Sequence, residues 1–361
     1  MTAPLSGSLA ASGTDTADAA ELAAKEVNDA GGISGRDLKV IPQDDQCDAQ
    51  AGVQAAQKLL QQKVVAIVGG YCSAATIPEV GVLEQAGNVP FVAGLSSAPE
   101  LTEKGYKNIF RVASRDDRQG PAIAEYVRKV LGVTKLAVVS DGTTYGVSIA
   151  NQIKKMAGQL GLDIVFDDAI TPGQKDYTTT LTKVGTTPAE ALVFTGQYPE
   201  FGLLIKEWAS LGQKYKLVGN DSDTNEALFP TAGPAVTDSR VSFVCIPNGN
   251  VIKSAQATAF DNAFKKEFGR APDAFAVAAY DSMMTLVQAL KDNGGKTGAS
   301  DLDTALHAVH YNGITGPISF DAKGDRPATS FYALHVEGNP ETFVGKYVYG
   351  TDGWKPLTAE G

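Results

Sequence analysis

Short apolar runs alternate along this chain with longer segments in which apolar residues recur at helical spacing. In the first quarter, the pattern predicts helices at 14–30, 48–62 and 75–86 and strands at 37–41, 64–68 and 89–93. Strands and helices that alternate in this way predict parallel strands joined by crossover helices.

The same alternation starts again after the polar segment 111–117. Its predicted elements are helices at 119–131, 146–160, 176–184 and 200–211 and strands at 135–140, 163–166, 191–195 and 215–219. Further helices are predicted at 255–268, 275–292 and 301–308, and further strands at 316–320, 331–336 and 343–349. The sequence therefore predicts an α/β fold with two doubly wound parallel-sheet units.

Length and charge limit the class of protein. At 361 residues the chain is too long for one compact core of ordinary size, so two domains are expected. Its 31 basic and 41 acidic residues give a formal net charge of −10, which argues against nucleic acid or an anionic membrane as a partner. The start of the chain lacks the basic region and apolar core of a signal peptide. If the protein is exported, we expect its targeting segment to have been removed from this sequence.

The turn at 69–76 is the first candidate for a binding site. It follows the apolar run 64–68 and leads into a predicted helix, and it contains the hydroxyl of Ser73. Hydroxyl and backbone N–H groups at a strand-to-helix turn can hold an anion, because the helix dipole favours negative charge there. A carboxylate is the ligand group that we expect.

Cys47 and Cys72 follow two of the predicted strands, 37–41 and 64–68. If both strands lie in one parallel sheet, the two loops leave the same edge, where a disulfide is sterically allowed. Such a bridge would contribute roughly 3 to 4 kcal/mol and would imply an oxidising compartment. Two ordinary buried thiols are the alternative, because spacing alone does not prove pairing. Cys245 lies in a strand-like run and is interpreted as a buried apolar residue.

Seven short motifs occur in order along nearly the whole chain. They are AGGISG at 30–35, DDQCD at 44–48, YCS at 71–73, APELT at 98–102, QGP at 119–121, YG at 145–146 and GPISFDAKGD at 316–325. Together they resemble the type I substrate-binding proteins of bacterial ABC transporters, in particular the leucine/isoleucine/valine-binding protein family. Each motif alone is weak evidence, and their combination is strong.

The resemblance implies a periplasmic binding protein type I fold. Its two lobes would comprise 1–115 plus 246–324 and 116–245 plus 325–361, joined by a three-crossing hinge near 114–117, 245–248 and 324–327. Ligand would be held between the lobes, and closure would be a hinge motion. The family has an apolar first strand before the segment aligned with 3–7, where only two residues stand here. We expect a trimmed sequence rather than a sheet without its central strand.

The resemblance also implies which residues bind the charged groups of a ligand. Ser73 and Ser97 are expected to donate to a carboxylate, and the Leu95 carbonyl to face an ammonium group. Asp221 matches the acid that pairs with the ammonium, where the family more usually has glutamate, so a bridging water or a deeper ligand is an open alternative. Ordinary turn, N-cap and solvated loop roles are the alternatives for these residues.

The remaining candidates are expected to form the pocket walls. Tyr145 would cover the ligand, and Tyr71 and Phe275 would line its side chain, because aromatic rings cover much area with few rotatable bonds. For Phe275, the start of a core helix is the alternative. Cys72 adjoins Ser73 and belongs to the same candidate set.

Two departures from the family affect the choice of ligand. Ser12 and Gln197 stand where the branched-chain amino-acid binder has tyrosines, so the pocket is expected to be larger or more polar. Tyr198 is the substitute for Gln197 if the loop register shifts by one.

The sequence therefore predicts an exported or envelope-associated, monomeric receptor for a small neutral amino acid, branched-chain or otherwise aliphatic. It would present its ligand to an ABC permease in the membrane and would need no cofactor or metal. The alternatives are a receptor for an aromatic or other small carboxylate that does not use Asp221, and a sensory ligand-binding ectodomain. Whether a lipid anchors the protein stays open.

An enzyme is the least favoured class. The histidines His307, His310 and His335 come late in the chain, and the first two have helical spacing without an evident third metal ligand. Segment 295–297 lacks the earlier glycine and the preceding strand of a phosphate-binding loop. The nucleophile motif Gly-x-Ser-x-Gly does not occur.

Overall fold

The computed structural model describes residues 1–327 and 330–357. The chain divides into two compact units, called unit 1 and unit 2 here. Unit 1 comprises Met1–Ser114 and Ile252–Ala328, and unit 2 comprises Arg115–Val251 and Thr329–Gly361. The lobe bounds that the resemblance implies stay a prediction.

Strands and helices alternate as the sequence predicts. The strands are β1 (Thr2–Ala3), β2 (Gln43–Asp44), β3 (Ile67–Gly69), β4 (Phe91–Ala93), β5 (Ile109–Arg111), β6 (Lys135–Ser140), β7 (Asp163–Ala169), β8 (Ala191–Thr195), β9 (Lys216–Gly219), β10 (Val241–Cys245), β11 (Tyr311–Gly313), β12 (Gly316–Ile318), β13 (Phe331–Glu337), β14 (Thr342–Gly350) and β15 (Gly353–Pro356). The α-helices are α1 (Ala10–Asp29), α2 (Ala49–Gln61), α3 (Ser73–Gln85), α4 (Glu100–Glu103), α5 (Asp116–Glu125), α6 (Thr144–Leu160), α7 (Thr178–Gly185), α8 (Tyr198–Ser210), α9 (Phe229–Ala232), α10 (Ala255–Phe268), α11 (Ala276–Asp292) and α12 (Ala299–Ala308). A search of the described residues finds no helix with the length and apolarity to cross a membrane.

Unit 1 contains a five-stranded parallel sheet in the order β2-β1-β3-β4-β5. β1, formed by Thr2 and Ala3, is an interior strand between β2 and β3. The prediction of a strand at 37–41 is wrong. The strand beside β1 is Gln43–Asp44 instead, because Thr2 and Ala3 provide ladder partners to these two residues only.

Unit 2 contains an eight-stranded sheet in the order β15-β14-β13-β10-β9-β8-β6-β7. The five strands from β10 to β7 are parallel neighbours, as crossover helices require. β13, β14 and β15 extend the sheet as antiparallel strands. The sequence predicts β13 and β14 close to their observed bounds, and it misses the short β15.

Apolar helix faces cover both sheets. In unit 1, Ala20 and Ala23 of α1 belong to one buried cluster with Val287 of α11. In unit 2, Ile149 and Ile153 of α6 belong to a cluster that includes the sheet residues of β6 and β8. Burying one such large aliphatic side chain contributes about 1.5 to 3 kcal/mol. This packing fixes the strands whose carboxyl ends carry the candidate residues.

Candidate functional site

In unit 1 the chain passes from β3 to α3 through two glycines with positive φ, Gly69 (142°) and Gly70 (71°). Position 69 requires glycine, because a Cβ there would lie 2.1 Å from the carbonyl oxygen of Thr2. α3 then begins at Ser73 with no side-chain cap and no acidic residue in its first turn. The partial positive charge at this helix start therefore has no carboxylate in that turn to offset it, which suits an anionic ligand group.

Two of the predicted carboxylate donors come together around Ala98. Ser73 is 1% exposed, and its Oγ accepts a hydrogen bond from the Ala98 N–H at 3.2 Å, so its own proton remains to donate. Ser97 is 3% exposed, and its Oγ has no hydrogen-bond partner within the described residues. A ligand acceptor here would remove the cost of a buried, unsatisfied hydroxyl. Leu95 is half-buried in the same loop, and its N–H donates to the Gly70 carbonyl at 3.2 Å.

A buried ion pair that the sequence analysis missed supports this loop. Arg111 donates from Nε to Asp325 Oδ1 at 2.8 Å, and both side chains are buried. Arg111 also donates to the Ala98 carbonyl oxygen at 2.7 Å. The ion pair thus fixes the position of Ala98, which contacts Ser73. Asp325 ends one of the motifs that carry the family resemblance, but no local pattern indicates its pairing with Arg111.

The predicted disulfide between Cys47 and Cys72 is confirmed, with Cα atoms 5.2 Å apart. Cys47 adopts a positive φ of 54°, and its N–H donates to Asp45 Oδ1 at 2.9 Å. Cys72 immediately precedes Ser73, so the bridge ties the start of α3 to the loop after β2. Cys245 is a free, buried thiol in β10.

Three predicted pocket residues of unit 1, Tyr71, Phe275 and Ser12, are connected by contacts. Tyr71 contacts Phe275, and both Phe275 and Ser12 contact Asp273. The rings of Tyr71 and Phe275 meet edge to face, with centroids 6.2 Å apart. Phe275 is buried just before α11, and its N–H donates to Asp273 Oδ1 at 3.0 Å. Ser12, in α1, is buried and hydrogen-bonded to the Asp273 carboxylate. Burial raises the pKa of Asp273 to about 7, and the bond from Ser12 opposes that rise. The sequence analysis did not predict a role for Asp273.

In unit 2, Asp221 begins a 3₁₀ turn, Asp221–Asp223, two residues after the end of β9, and is 8% exposed. The hydroxyl of Tyr145, in the first turn of α6, donates to Asp221 Oδ1 and lies 3.1 Å from Asn220 Oδ1. Burial raises the pKa of Asp221, and the bond from Tyr145 opposes that rise. Burial, and then the charge of Asp221, raises the pKa of Tyr145 well above its usual value, so its hydroxyl keeps its proton. Two predicted residues are therefore in direct contact.

The start of α8 joins the same turn. Gln197 Oε1 accepts a hydrogen bond from Ser222 Oγ, and Tyr198 beside it is 5% exposed. The Asn220 side chain donates to the Gly196 carbonyl at 3.1 Å. Asn220 and this 3₁₀ turn are together called the 220–223 turn. Asp221 lies in it, Tyr145 and Gln197 contact it, and Tyr198 adjoins Gln197.

Asp116 is a further acidic residue that the sequence analysis did not single out. It begins α5, is buried, and its charge contributes to the raised pKa of Tyr145. Unit 2 thus brings buried carboxylates near Tyr145, whereas unit 1 presents the neutral donors Ser73 and Ser97. Buried carboxylates suit an ammonium group, and neutral hydroxyl donors suit a carboxylate.

Two α/β units, each with a run of parallel strands and with polar residues at the strand ends, define a type I periplasmic binding fold. The chain belongs to the periplasmic binding protein family, whose model matches residues 1–340. A curated relative, Leu/Ile/Val-binding protein homolog 1 of Brucella melitensis, is 30% identical over 350 residues, which are 96% of this chain and 91% of the relative.

Solved structures agree with this assignment. The branched-chain amino acid transporter substrate-binding protein LivJ from Streptococcus pneumoniae, in complex with isoleucine, is 29% identical and has a TM-score of 0.84, with 95% of this chain and 98% of that chain covered. A solute-binding protein of an ABC transporter from Rhodopseudomonas palustris, in complex with 3,4-dihydroxybenzoic acid, shares the fold with a TM-score of 0.85 at 23% identity, with 98% and 96% covered.

Proposed function

We propose that this protein is a solute-binding receptor for a small neutral amino acid, branched-chain or otherwise aliphatic. The ligand carboxylate would accept hydrogen bonds from Ser73 and Ser97 at the start of α3. The observation that carries the proposal is the buried Ser97 hydroxyl, which has no hydrogen-bond partner among the residues that the structure describes and lies next to the residue that contacts Ser73. The names of the Brucella relative and of the isoleucine complex of LivJ support the ligand class.

Asp221 would bind the ammonium group of the ligand. Its carboxylate is buried and accepts a hydrogen bond from the neutral hydroxyl of Tyr145. A ligand ammonium would place a positive charge beside the carboxylate and offset the burial that disfavours its negative form, so binding would stabilise the ionised form of Asp221. Tyr145 would hold the carboxylate in one orientation.

The side chain of the ligand would lie against Tyr71 and Phe275. Serine at position 12 and glutamine at position 197, both smaller than tyrosine, support a wider or more polar pocket than one fitted to leucine alone. Both are engaged within the protein, Ser12 with Asp273 and Gln197 with Ser222. We therefore propose a neutral aliphatic amino acid rather than leucine specifically.

The partner of the loaded receptor would be an ABC permease, and the protein would act outside the cytoplasmic membrane as a monomer. The Cys47–Cys72 disulfide supports an oxidising location. The ligand would be bound and released without chemical change. No nucleic acid or cofactor is part of this function.

The test is isothermal titration calorimetry of the purified protein with L-leucine, L-isoleucine, L-valine, L-alanine, benzoate and 4-hydroxybenzoate. At least one of the amino acids is expected to bind at a 1:1 ratio, and mass spectrometry is expected to recover it unchanged. Thermal unfolding provides a second readout, since a ligand at 100 times its Kd adds about 2.7 kcal/mol of stability. Binding of an aromatic acid and of no amino acid would replace this proposal by the aromatic-carboxylate alternative.

A further inference from the structure

The 220–223 turn of unit 2 carries the proposed ammonium-binding carboxylate and contacts the tyrosine that orients it. We infer that Asp223 is a positioning residue, which sets the direction of the Asp221 carboxylate without touching the ligand. This inference rests on the proposed function, because the effect on ligand passes through Asp221.

Asn220 and Asp223, at the two ends of the turn, are joined by two reciprocal hydrogen bonds. Asp223 Oδ2 accepts a hydrogen bond from the Asn220 N–H at 2.8 Å, and the Asn220 side chain accepts one from the Asp223 N–H in return. Both side chains are fully buried. Asp221 lies between these two residues, so the reciprocal cap fixes its backbone and limits where its carboxylate can point.

Asn220 also contacts two other parts of unit 2, the segment just before α8 and the start of α6. Its Nδ2 donates to the Gly196 carbonyl at 3.1 Å, and its Oδ1 lies 3.1 Å from the Tyr145 hydroxyl. Gly219 provides the space for the cap, because a Cβ at that position would lie 2.7 Å from Asp223 Oδ2. Loss of the hydrogen bonds between Asp223 and Asn220 would therefore free Asn220, which contacts Tyr145 and immediately precedes Asp221.

The surroundings of Asp223 indicate that its role depends on its hydrogen-bond acceptor and not on a negative charge. Burial raises its pKa well above the usual value, and the nearby charges of Asp221, Asp141 and Glu200 raise it further. A neutral acid still accepts the hydrogen bond from Asn220 and does not repel Asp221. Asparagine at this position would provide the same acceptor without a charge, so Asp223→Asn is the conservative variant.

The experiment is a double-mutant cycle. Asp223→Ala and Asp223→Asn are made in the parent and in the Asp221→Ala background, and Kd is measured by calorimetry for the tightest of L-leucine, L-isoleucine, L-valine and L-alanine. Weak binding is measured from melting temperatures at millimolar ligand. Asp223→Ala is expected to raise Kd about tenfold in the parent and less than about twofold in the Asp221→Ala background. Asp223→Asn is expected to stay within about threefold of the parent.

The matched control is Asp176→Ala. Asp176 lies two residues before α7 of unit 2, and its Oδ1 accepts a hydrogen bond from the Thr178 N–H at 2.8 Å. Its loss is expected to leave Kd unchanged. If Asp223→Ala does not fold, as judged from its melting temperature, Asp223→Ser takes its place. Parental affinity in the variant, or an equal loss in both backgrounds, overturns the positioning role. A parent that binds none of the four amino acids, L-leucine, L-isoleucine, L-valine and L-alanine, overturns the proposed function itself.

Discussion

Ser73 and Ala98 are joined by a hydrogen bond in which the Ala98 N–H donates to Ser73 Oγ over 3.2 Å. The Ala98 carbonyl in turn accepts a hydrogen bond from the buried Arg111. The direction of the Ser73 hydroxyl is therefore set by the protein before a ligand arrives. Such preorganisation lowers the entropy cost of binding, because fewer groups have to be ordered.

Ser73→Ala is expected to weaken amino-acid binding while the protein stays folded. A hydrogen bond to a charged group contributes about 1.5 to 3 kcal/mol, so Kd should rise by roughly 10- to 100-fold. Titration calorimetry of the variant measures this change. Ser300→Ala, at an exposed position of unit 1, is the control and is expected to bind as the parent does. An unchanged Kd in Ser73→Ala would remove Ser73 from the site.

Asp221→Ala is expected to cost roughly 2 to 5 kcal/mol of binding free energy for leucine, since it removes a buried charge partner of the ammonium. The same variant should bind the deaminated analogue 4-methylpentanoate about as well as the parent does. Calorimetry with both ligands measures the difference. Asp352→Ala, at an exposed position of unit 2, serves as control. Equal affinity of parent and Asp221→Ala for leucine would rule out recognition of a zwitterion.

Features encoded by local patterns were predictable from the sequence. The strand-helix alternation, the Ser73 turn and the Cys47–Cys72 bridge follow from periodicity and from the rule that parallel strands end at one edge of a sheet. The strand at 37–41 was predicted wrongly. Its apolar pattern is real, but pairing depends on β1, which supplies partners to Gln43–Asp44.

The missed residues act through contacts between segments far apart in the chain. Arg111 pairs with Asp325, 214 positions away, and Asp273 bonds to Ser12 in α1. No spacing rule applies to such pairs, because the fold alone brings them together. Asn220 was also missed, although its place directly after a strand and before the candidate Asp221 is a usable signal.

The disulfide is expected to stabilise the protein by roughly 3 to 4 kcal/mol, because it closes a loop with a sequence separation of 25. The double variant Cys47→Ser/Cys72→Ser should therefore unfold at a lower urea concentration than the parent. Adding reductant should lower the midpoint of the parent and leave that of the double variant unchanged. Cys245→Ala tests whether the free thiol contributes to the response to reductant. A double variant as stable as the parent would contradict this prediction.

Glu79 is expected to make the stability of unit 1 depend on pH. It lies in α3, fully buried, and its Oε2 accepts a hydrogen bond from Thr2 Oγ1 at 2.9 Å. Burial raises its pKa well above the usual value, and the nearby charge of Asp45 raises it further. Burial also raises the pKa of Asp45 to about 6. The folded protein therefore holds protons that the unfolded chain has released.

The sign of the effect follows from this proton difference. An unfolded glutamate has a pKa of about 4.3, so the folded state loses relative stability as pH rises from there towards its own higher pKa. The free energy of unfolding should fall by up to about 1.4 kcal/mol per pH unit in the parent, relative to Glu79→Gln, which has no proton to lose. Urea unfolding between pH 4 and 8 measures both curves. Glu84→Gln, at a half-buried position of the same helix, should keep the parental dependence. Parallel curves for the parent and Glu79→Gln would show that Glu79 does not titrate in this range.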